Sequence, residues 1–176
     1  MKIKIRQERA EDHKLVFSVI QKAFEKEEIS DHQEHYLVER LRESEAFIPE
    51  LSLVAEKEDQ IVGHIILSKI KIVSNNETFQ SLALAPVSVH PNHQGEGIGS
   101  SLIEQAHLTA SRMGFQSVAL LGHPEYYPRF GYEMAHLHGV SFPFDAPKEA
   151  CMIKELKPGT LKKINGMISY PPAFFQ

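Results

Sequence analysis

Cysteine is nearly absent: Cys151 stands alone in 176 residues, which excludes an internal disulfide. Tryptophan is missing altogether. No segment approaches the ~20 consecutive apolar residues of a bilayer-spanning helix, and the opening "MKIKIRQERAED" lacks the apolar run of a signal peptide. Excess positive charge is lacking too, with 19 Lys and Arg against 23 Asp and Glu and a net charge of −4. Nucleic-acid wrapping needs clustered cations, so that class is set aside. The absences together predict a cytoplasmic protein with neither membrane nor nucleic acid among its partners. What is present suffices for one core: 42% of residues are hydrophobic, and a chain of this size buries roughly 70% of its unfolded surface. No repeat or low-complexity linker divides it, so residues 1–176 read as a single domain, compatible with a monomer or a homodimer.

The hydrophobic periods set the element order. "KIKIRQ" alternates like a strand, and "AEDHKLVFSVIQKAFEKE" places Leu15, Val16, Val19, Ile20 and Ala23 on one helical face. A second helix is expected from Asp31 to Glu45, with Asp31 as its cap, a stripe of Tyr36, Leu37, Val38 and Leu41, and Pro49 beyond its end. "LSLVAEKEDQIVGHIILSKIKIVSN" reads as a hairpin turning at "EKEDQ", and "FQSLALAPVSV" as a further strand. Ile98, Leu102, Ile103, Ala106, Ala110 and Met113 then recur at helical spacing, with Gly114 placed to stop the helix. "FQSVALLG" is a buried strand, "HPEYYPRFGYE" a short helical or turn segment, and "ACMIKEL" a late strand. A helix between strands requires a parallel pair in an otherwise antiparallel sheet, so the fold class is mixed α/β.

The stretch "APVSVHPNHQGEGIGSSLIEQA" puts Gly95, Gly97 and Gly99 where that central helix begins. Unpaired amides and the macrodipole make a helix N-terminus an anion site, and glycines let a phosphate approach it. A Walker loop is excluded, because it needs Gly-Lys-Ser/Thr and no lysine is present. The dinucleotide fingerprint fits poorly: Ser100 stands where the third glycine is wanted, several strands precede the loop, and no acidic residue ends "VALLGHP".

"VHPNHQGEGIGSSLI" is similar to the acyl-CoA-binding motif of the GNAT family of N-acetyltransferases. That motif is Arg or Gln, two variable residues, Gly, one variable residue, then Gly or Ala, matched by Gln94, Gly97 and Gly99 after Val89 and Pro91. "LAPVSVHP", "LLGHPEYYPRFGY" and "CMIKELKPG" resemble the family's YhbS-type subgroup, so the likeness covers nearly the whole chain. It implies the GNAT fold: a mostly antiparallel twisted sheet with a central splayed parallel strand pair and flanking helices. The CoA-binding core is then about 82–132, and the C-terminal strand and tail about 133–176. It further implies acetyl-CoA as cofactor, with the loop Gln94, Gly95, Glu96, Gly97, Ile98, Gly99 and Ser100 at its pyrophosphate. Backbone groups of Val87, Ser88 and Val89 would pair with the pantetheine arm, and Pro86 suits a strand at an edge or bulge.

Acetyl transfer to an amine needs a deprotonated nucleophile, stabilisation of a developing oxyanion, and a proton for the leaving thiolate. The family implies the Val89 amide for the oxyanion. It implies Tyr127, in "YYPRFGY" four residues before Gly131, as proton donor; packing beside the CoA is the alternative. Tyr127 therefore counts as a CoA contact in either role, with Tyr126 expected toward the sheet. Pro128 and Arg129 depart from the family's commoner acidic-basic filling. Glu125, His123 and His90 are candidate bases, and no motif selects among them. Cys151 sits in an apolar strand pattern as a buried thiol rather than a nucleophile. His136 and His138 have the alternate spacing of strand ligands, but no partner set completes a site, and no metal is assigned. The expected activity is acetyl transfer to a primary amine, on a small molecule or a peptide, by direct attack in a ternary complex. A non-catalytic acyl-CoA sensor or interaction module is the alternative. The acceptor segments would be "EEISDHQEHYLVERLRESEAF" and "HLHGVSFPFDAPKEA".

Overall fold

Apolar alternation and helical stripes resolve into β1 (Lys4–Gln7), α1 (His13–Phe24), α2 (Glu34–Arg42), β2 (Ser52–Lys57), β3 (Gln60–Val73), β4 (Thr78–Val89), α3 (Ile98–Arg112), β5 (Ser117–Leu121), β6 (Glu133–Met134), β7 (Val140–Ser141), β8 (Cys151–Glu155) and β9 (Gly166–Ser169). The structure, a computed structural model, describes residues 2–175. Strands β1-β2-β3-β4-β5-β8-β6 lie side by side, with β9 on the free edge of β3 and β7 beside β9. The β2–β3 hairpin turns at Glu58 and Asp59, whose φ values of 52° and 63° suit a two-residue turn of the twist-matching kind. Within the main run of strands, only β4 and β5 are parallel neighbours, with α3 as the crossover between them, and β7–β9 forms a second, peripheral parallel pair.

One face of the sheet carries α3, whose Ile98, Leu102, Ile103, Ala106 and Ala110 are all within 1% of full burial against Leu53, Ile65, Leu82 and Leu120. The other face carries α1 and α2, where Val16, Ile20, Val38 and Leu41 cover Val54 and Ile66. Burial at roughly 1.5–3 kcal/mol per large aliphatic side chain makes these two layers the main stabilising element. A third cluster, around Ile72, Ala119, Ile153 and Ile168, joins the late strands to the same sheet.

Several expectations change in detail. Leu15 is exposed, so the α1 stripe narrows to Val16, Val19 and Ile20. The second helix runs Glu34–Arg42 and not Asp31 to Glu45: the Asp31 carboxylate accepts from the Gln33 amide in the preceding turn and does not cap the helix. His35, not Tyr36, points inward, because His35, Val38 and Leu41 lie three residues apart; its ring meets Phe17 edge-on at 4.6 Å. Met113 caps α3 and is 41% exposed, and Gly114 ends the helix at φ 91°, as expected. His136 and His138 lie in the single 3-10 turn Ala135–His138 and not in a strand. β6, β7 and β9 are two to four residues long, too short to show alternation in the sequence.

Candidate active site

The site begins where β4 loses one of its neighbours. β4 and β5 pair only at Leu82↔Val118 and Ala83↔Ala119, so the stretch Leu84–Val89 has no partner on the β5 side. On its other side, pairing with β3 shifts register between Ile65 and Leu67, opposite a cis Ala85–Pro86 bond. Proline brings no N–H to a ladder, which makes this the natural place for the break. Beyond it, Ile65↔Val87, His64↔Ser88 and Gly63↔Val89 face each other, and His90 donates its amide to Val62 O at 2.8 Å. In an antiparallel ladder bonded and unbonded pairs alternate. His64↔Ser88 is therefore a bonded pair, while the N–H and C=O of Val87 and Val89 turn away from β3 into the opening. Ser88 differs from expectation here: its backbone is committed to β3, and its side chain is buried on the α1 face of the sheet.

The glycine loop crosses the mouth of this opening. Gln94 donates its side-chain amide to Val89 O at 3.2 Å, tying loop to strand. Gly95 and Gly97 have φ of 81° and 83°, with nothing within 4 Å of a built Cβ. Left-handed backbone, not crowding, is what demands glycine at these two positions. Gly97 is the N-cap of α3, and Ile98, 1% exposed, anchors the first turn in the core. The first intrahelical bond of this turn runs from Ser101 N to Gly97 O, leaving the amides of Ile98, Gly99 and Ser100 pointing out of the helix end. Glu96, between the glycines, is drawn outward by Lys57 and lies 3.3 Å from His93 Nδ1. The Lys57 hydrogen bond is the main reason its carboxyl sits below the ordinary range.

Loop, strand end and the turn after β5 enclose a cavity of about 340 Å³, bordered by Val89, Gly97, Gly99, Ser100, Tyr126 and Arg129. A second cleft of about 270 Å³, between Phe79, Phe115 and Ile164, lies at the opposite end of β4. That is about 30 Å away along the strand, far from the glycine loop.

Tyr126, expected toward the sheet, faces the cavity instead. Tyr126, the residue before the 3-10 turn Tyr127–Phe130, sends its hydroxyl toward the cavity, 3.4 Å from Ser100 Oγ. Tyr127 is 9% exposed, and its ring lies between Gly122 and Tyr132. Burial, with a smaller contribution from Tyr126, pushes its phenol up to about 12. Arg129 stacks its guanidinium 4.6 Å above the Tyr126 ring and donates Nε to Tyr126 O at 2.9 Å. Neither Tyr126 nor Arg129 belongs to the expected site; the three-residue spacing within one turn is the signal that links them.

The candidate bases are scattered. His90 accepts the Asn92 amide on Nδ1, and burial, Lys22 and His93 lower its pKa. The His123 carbonyl takes the amides of Tyr126 and Tyr127, and among the described residues no hydrogen bond ties the side chain of His123 or Glu125 to the cavity. Cys151 is half-buried on β8 beside Leu121, and burial together with Glu149 pushes its thiol up, toward the protonated form. Among the described residues no three His, Cys, Asp or Glu side chains form a metal cluster, and no helix is long and apolar enough to cross a membrane.

Residues 4–135 match the family model described as an acetyltransferase (GNAT) domain. The chain is 38% identical over 122 residues to the uncharacterised N-acetyltransferase YjhQ of Escherichia coli K12, covering 68% of this chain and 67% of that protein. With YhbS of the same strain it shares 29% over 139 residues, 78% of this chain and 81% of that one. The crystal structure of E. coli YhbS in complex with CoA superposes with a TM-score of 0.89 at 26% identity, over 100% of this chain and 93% of that chain. A GNAT acetyltransferase from Brucella melitensis in complex with acetyl-CoA superposes at 0.81 with 31% identity, over 98% of both.

Proposed function

The chain belongs to the GNAT acetyltransferase family, and from that premise we propose that it transfers the acetyl group of acetyl-CoA to a primary amine by direct attack in a ternary complex. The observation that carries this reading is the meeting, in one cavity, of the open β4 edge at Val89 with the free amides that begin α3. An extended pantetheine arm pairs with such an edge as an added strand, and a diphosphate suits the amides of Ile98, Gly99 and Ser100. That the two related crystal structures hold CoA and acetyl-CoA supports the same ligand for this chain.

Acetyl-CoA supplies an activated thioester carbonyl. The Val89 amide, held by the sheet, donates to the carbonyl oxygen as negative charge develops there. Tyr127 gives a proton to the departing sulfur and regains one, through solvent, from the ammonium nitrogen that the attack creates; burial keeps the phenol protonated between turnovers, although at about 12 it is a weaker acid than free tyrosine. The protonated state of Cys151 favours direct transfer over a thioester on the enzyme. In this reading residues 1–176 act as one cytoplasmic N-acetyltransferase domain, and the acceptor is a small amine, a peptide N-terminus or a lysine side chain.

A panel of those three acceptor classes, with CoA release as readout, tests the proposal. Turnover above background hydrolysis on one class is expected. CoA binding without turnover on any class would favour a sensor, and no melting shift at millimolar acetyl-CoA would overturn the cofactor.

A further inference from the structure

We propose that Arg129, held on the face of Tyr126, is the cationic wall of the diphosphate site, opposite the glycine loop; this rests on the CoA reading above. The helix amides offer only about half a positive charge, whereas a CoA diphosphate carries a full charge on each phosphate. Among the residues that border the cavity, Arg129 alone is a permanent cation. His93 faces Glu96, and the charge of Glu96 is directed outward to Lys57.

The guanidinium is poised for an anion. Nε is spent on the Tyr126 carbonyl, and the plane rests 4.6 Å over the Tyr126 ring, so the fork has lost much of its freedom before any ligand arrives. Among the described residues neither Nη1 nor Nη2 has a partner, and no carboxylate pairs with this arginine. Two parallel N–H donors on one planar group match two phosphate oxygens, a geometry that lysine cannot reproduce. The platform itself is fixed: Tyr126 packs against Tyr127 at 5.1 Å and Phe130 at 5.2 Å, while its hydroxyl reaches toward Ser100 in the first turn of α3. The same tyrosine therefore touches both walls and sets the distance between them. Gly131, at φ 94°, closes the turn that carries Arg129 back over the ring.

The experiment is calorimetric titration of the full chain with CoA, 3′-dephospho-CoA and pantetheine, for wild type, Arg129→Ala and Arg129→Lys. Arg129 is exposed, so both variants should melt as wild type does. Loss of a bidentate charged contact predicts CoA affinity about tenfold to a hundredfold weaker in Arg129→Ala, only partly recovered in Arg129→Lys. The same factor should appear with 3′-dephospho-CoA, and none with pantetheine, which lacks the diphosphate. Unchanged CoA affinity in Arg129→Ala overturns the inference while leaving the cofactor intact. A loss confined to CoA moves Arg129 to the 3′-phosphate and overturns the assignment to the diphosphate. Failure of wild type to bind CoA removes the functional reading together with this one.

Discussion

The ring of Tyr127 rests on Gly122 so closely that a Cβ on that glycine would stand 2.4 Å from Tyr127 Cε2 and 2.8 Å from Cδ2. Gly122 has no left-handed backbone, so an alanine there is conformationally allowed and its whole penalty falls on the ring. Gly122→Ala should therefore displace the Tyr127 phenol and lower stability by about 1–3 kcal/mol, the usual cost of overpacking. Urea unfolding checks the stability. CoA release checks the consequence: turnover should fall while CoA affinity stays near wild type. Full turnover in this variant would show that the position of the Tyr127 ring does not matter to the reaction.

Tyr127→Phe isolates the hydroxyl from the ring. The ring packing is kept, so melting should change little, whereas loss of a positioned proton donor lowers rate by about a hundredfold or more. The kcat profile should also change at its alkaline end, where a phenol pushed up to about 12 otherwise stays protonated. Tyr126→Phe is the contrasting variant: it removes the contact with Ser100 and should raise KM for acetyl-CoA with little effect on kcat. A Tyr127→Phe enzyme of unchanged kcat would remove the proton-donor role.

The central strand, loop and helix were legible in the sequence because three local rules agree there. Alternation marks β4, the positive φ of Gly95 and Gly97 explains the glycines, and the stripe from Ile98 to Ala110 marks α3. The opening between β4 and β5 was expected only by resemblance, since no local pattern says that pairing stops at Ala83 and Ala119. Ser88 shows the same limit: the phase of a ladder depends on a register shift at Ile65 and Leu67, which is a tertiary fact. The placement of Tyr126 was not legible, because the residue that enters a 3-10 turn and the first residue of that turn differ by a rotation that no local pattern fixes. Tyr36 was misplaced for a related reason: the inward phase of α2 is set by His35, Val38 and Leu41, and a histidine carries no apolar signal to mark it.

Lys57, at the end of β2, acts on the loop from outside. It holds Glu96 away from the amides of α3, where its carboxylate would compete with phosphate. Lys57→Ala should weaken CoA binding several-fold at low salt, with a smaller effect at high salt because the pair is partly exposed. Adding Glu96→Gln to Lys57→Ala should return the affinity to near wild type by removing the competing charge. Titration of CoA into wild type and these two variants checks this, and a double variant as weak as Lys57→Ala would place the lysine in direct contact with the ligand instead.

Two buried imidazoles make the fold sensitive to mild acid. His64 is fully buried, its Nε2 3.0 Å from Ser52 Oγ, which in turn donates to Glu8. Burial outweighs the attraction of Glu8, with Arg42 and His13 adding to it, and takes His64 down from 6.5 to about 4. His107, bonded to Tyr132 at 2.7 Å, falls to about 4 through burial and Lys154. Both folded values lie below the unfolded one, so the unfolded chain binds more protons once pH drops under about 6.5. The stabilisation is complete above that pH and is lost toward pH 4. Near pH 5 the two sites together give a slope of about 2 kcal/mol per pH unit. Glu8 and Asp12, whose carboxyls are held below their ordinary range by Arg42 and Arg6, add their own loss only at lower pH. For Glu8 this holds although burial, its largest single influence, pushes the other way. Urea midpoints from pH 7.5 to 4.5 should therefore fall steeply, and His107→Gln should halve the slope whatever it does to stability at pH 7.5. A flat curve between pH 7 and pH 5 would mean that both imidazoles take up protons in the folded chain, which the Arg42 and Lys154 charges beside them oppose.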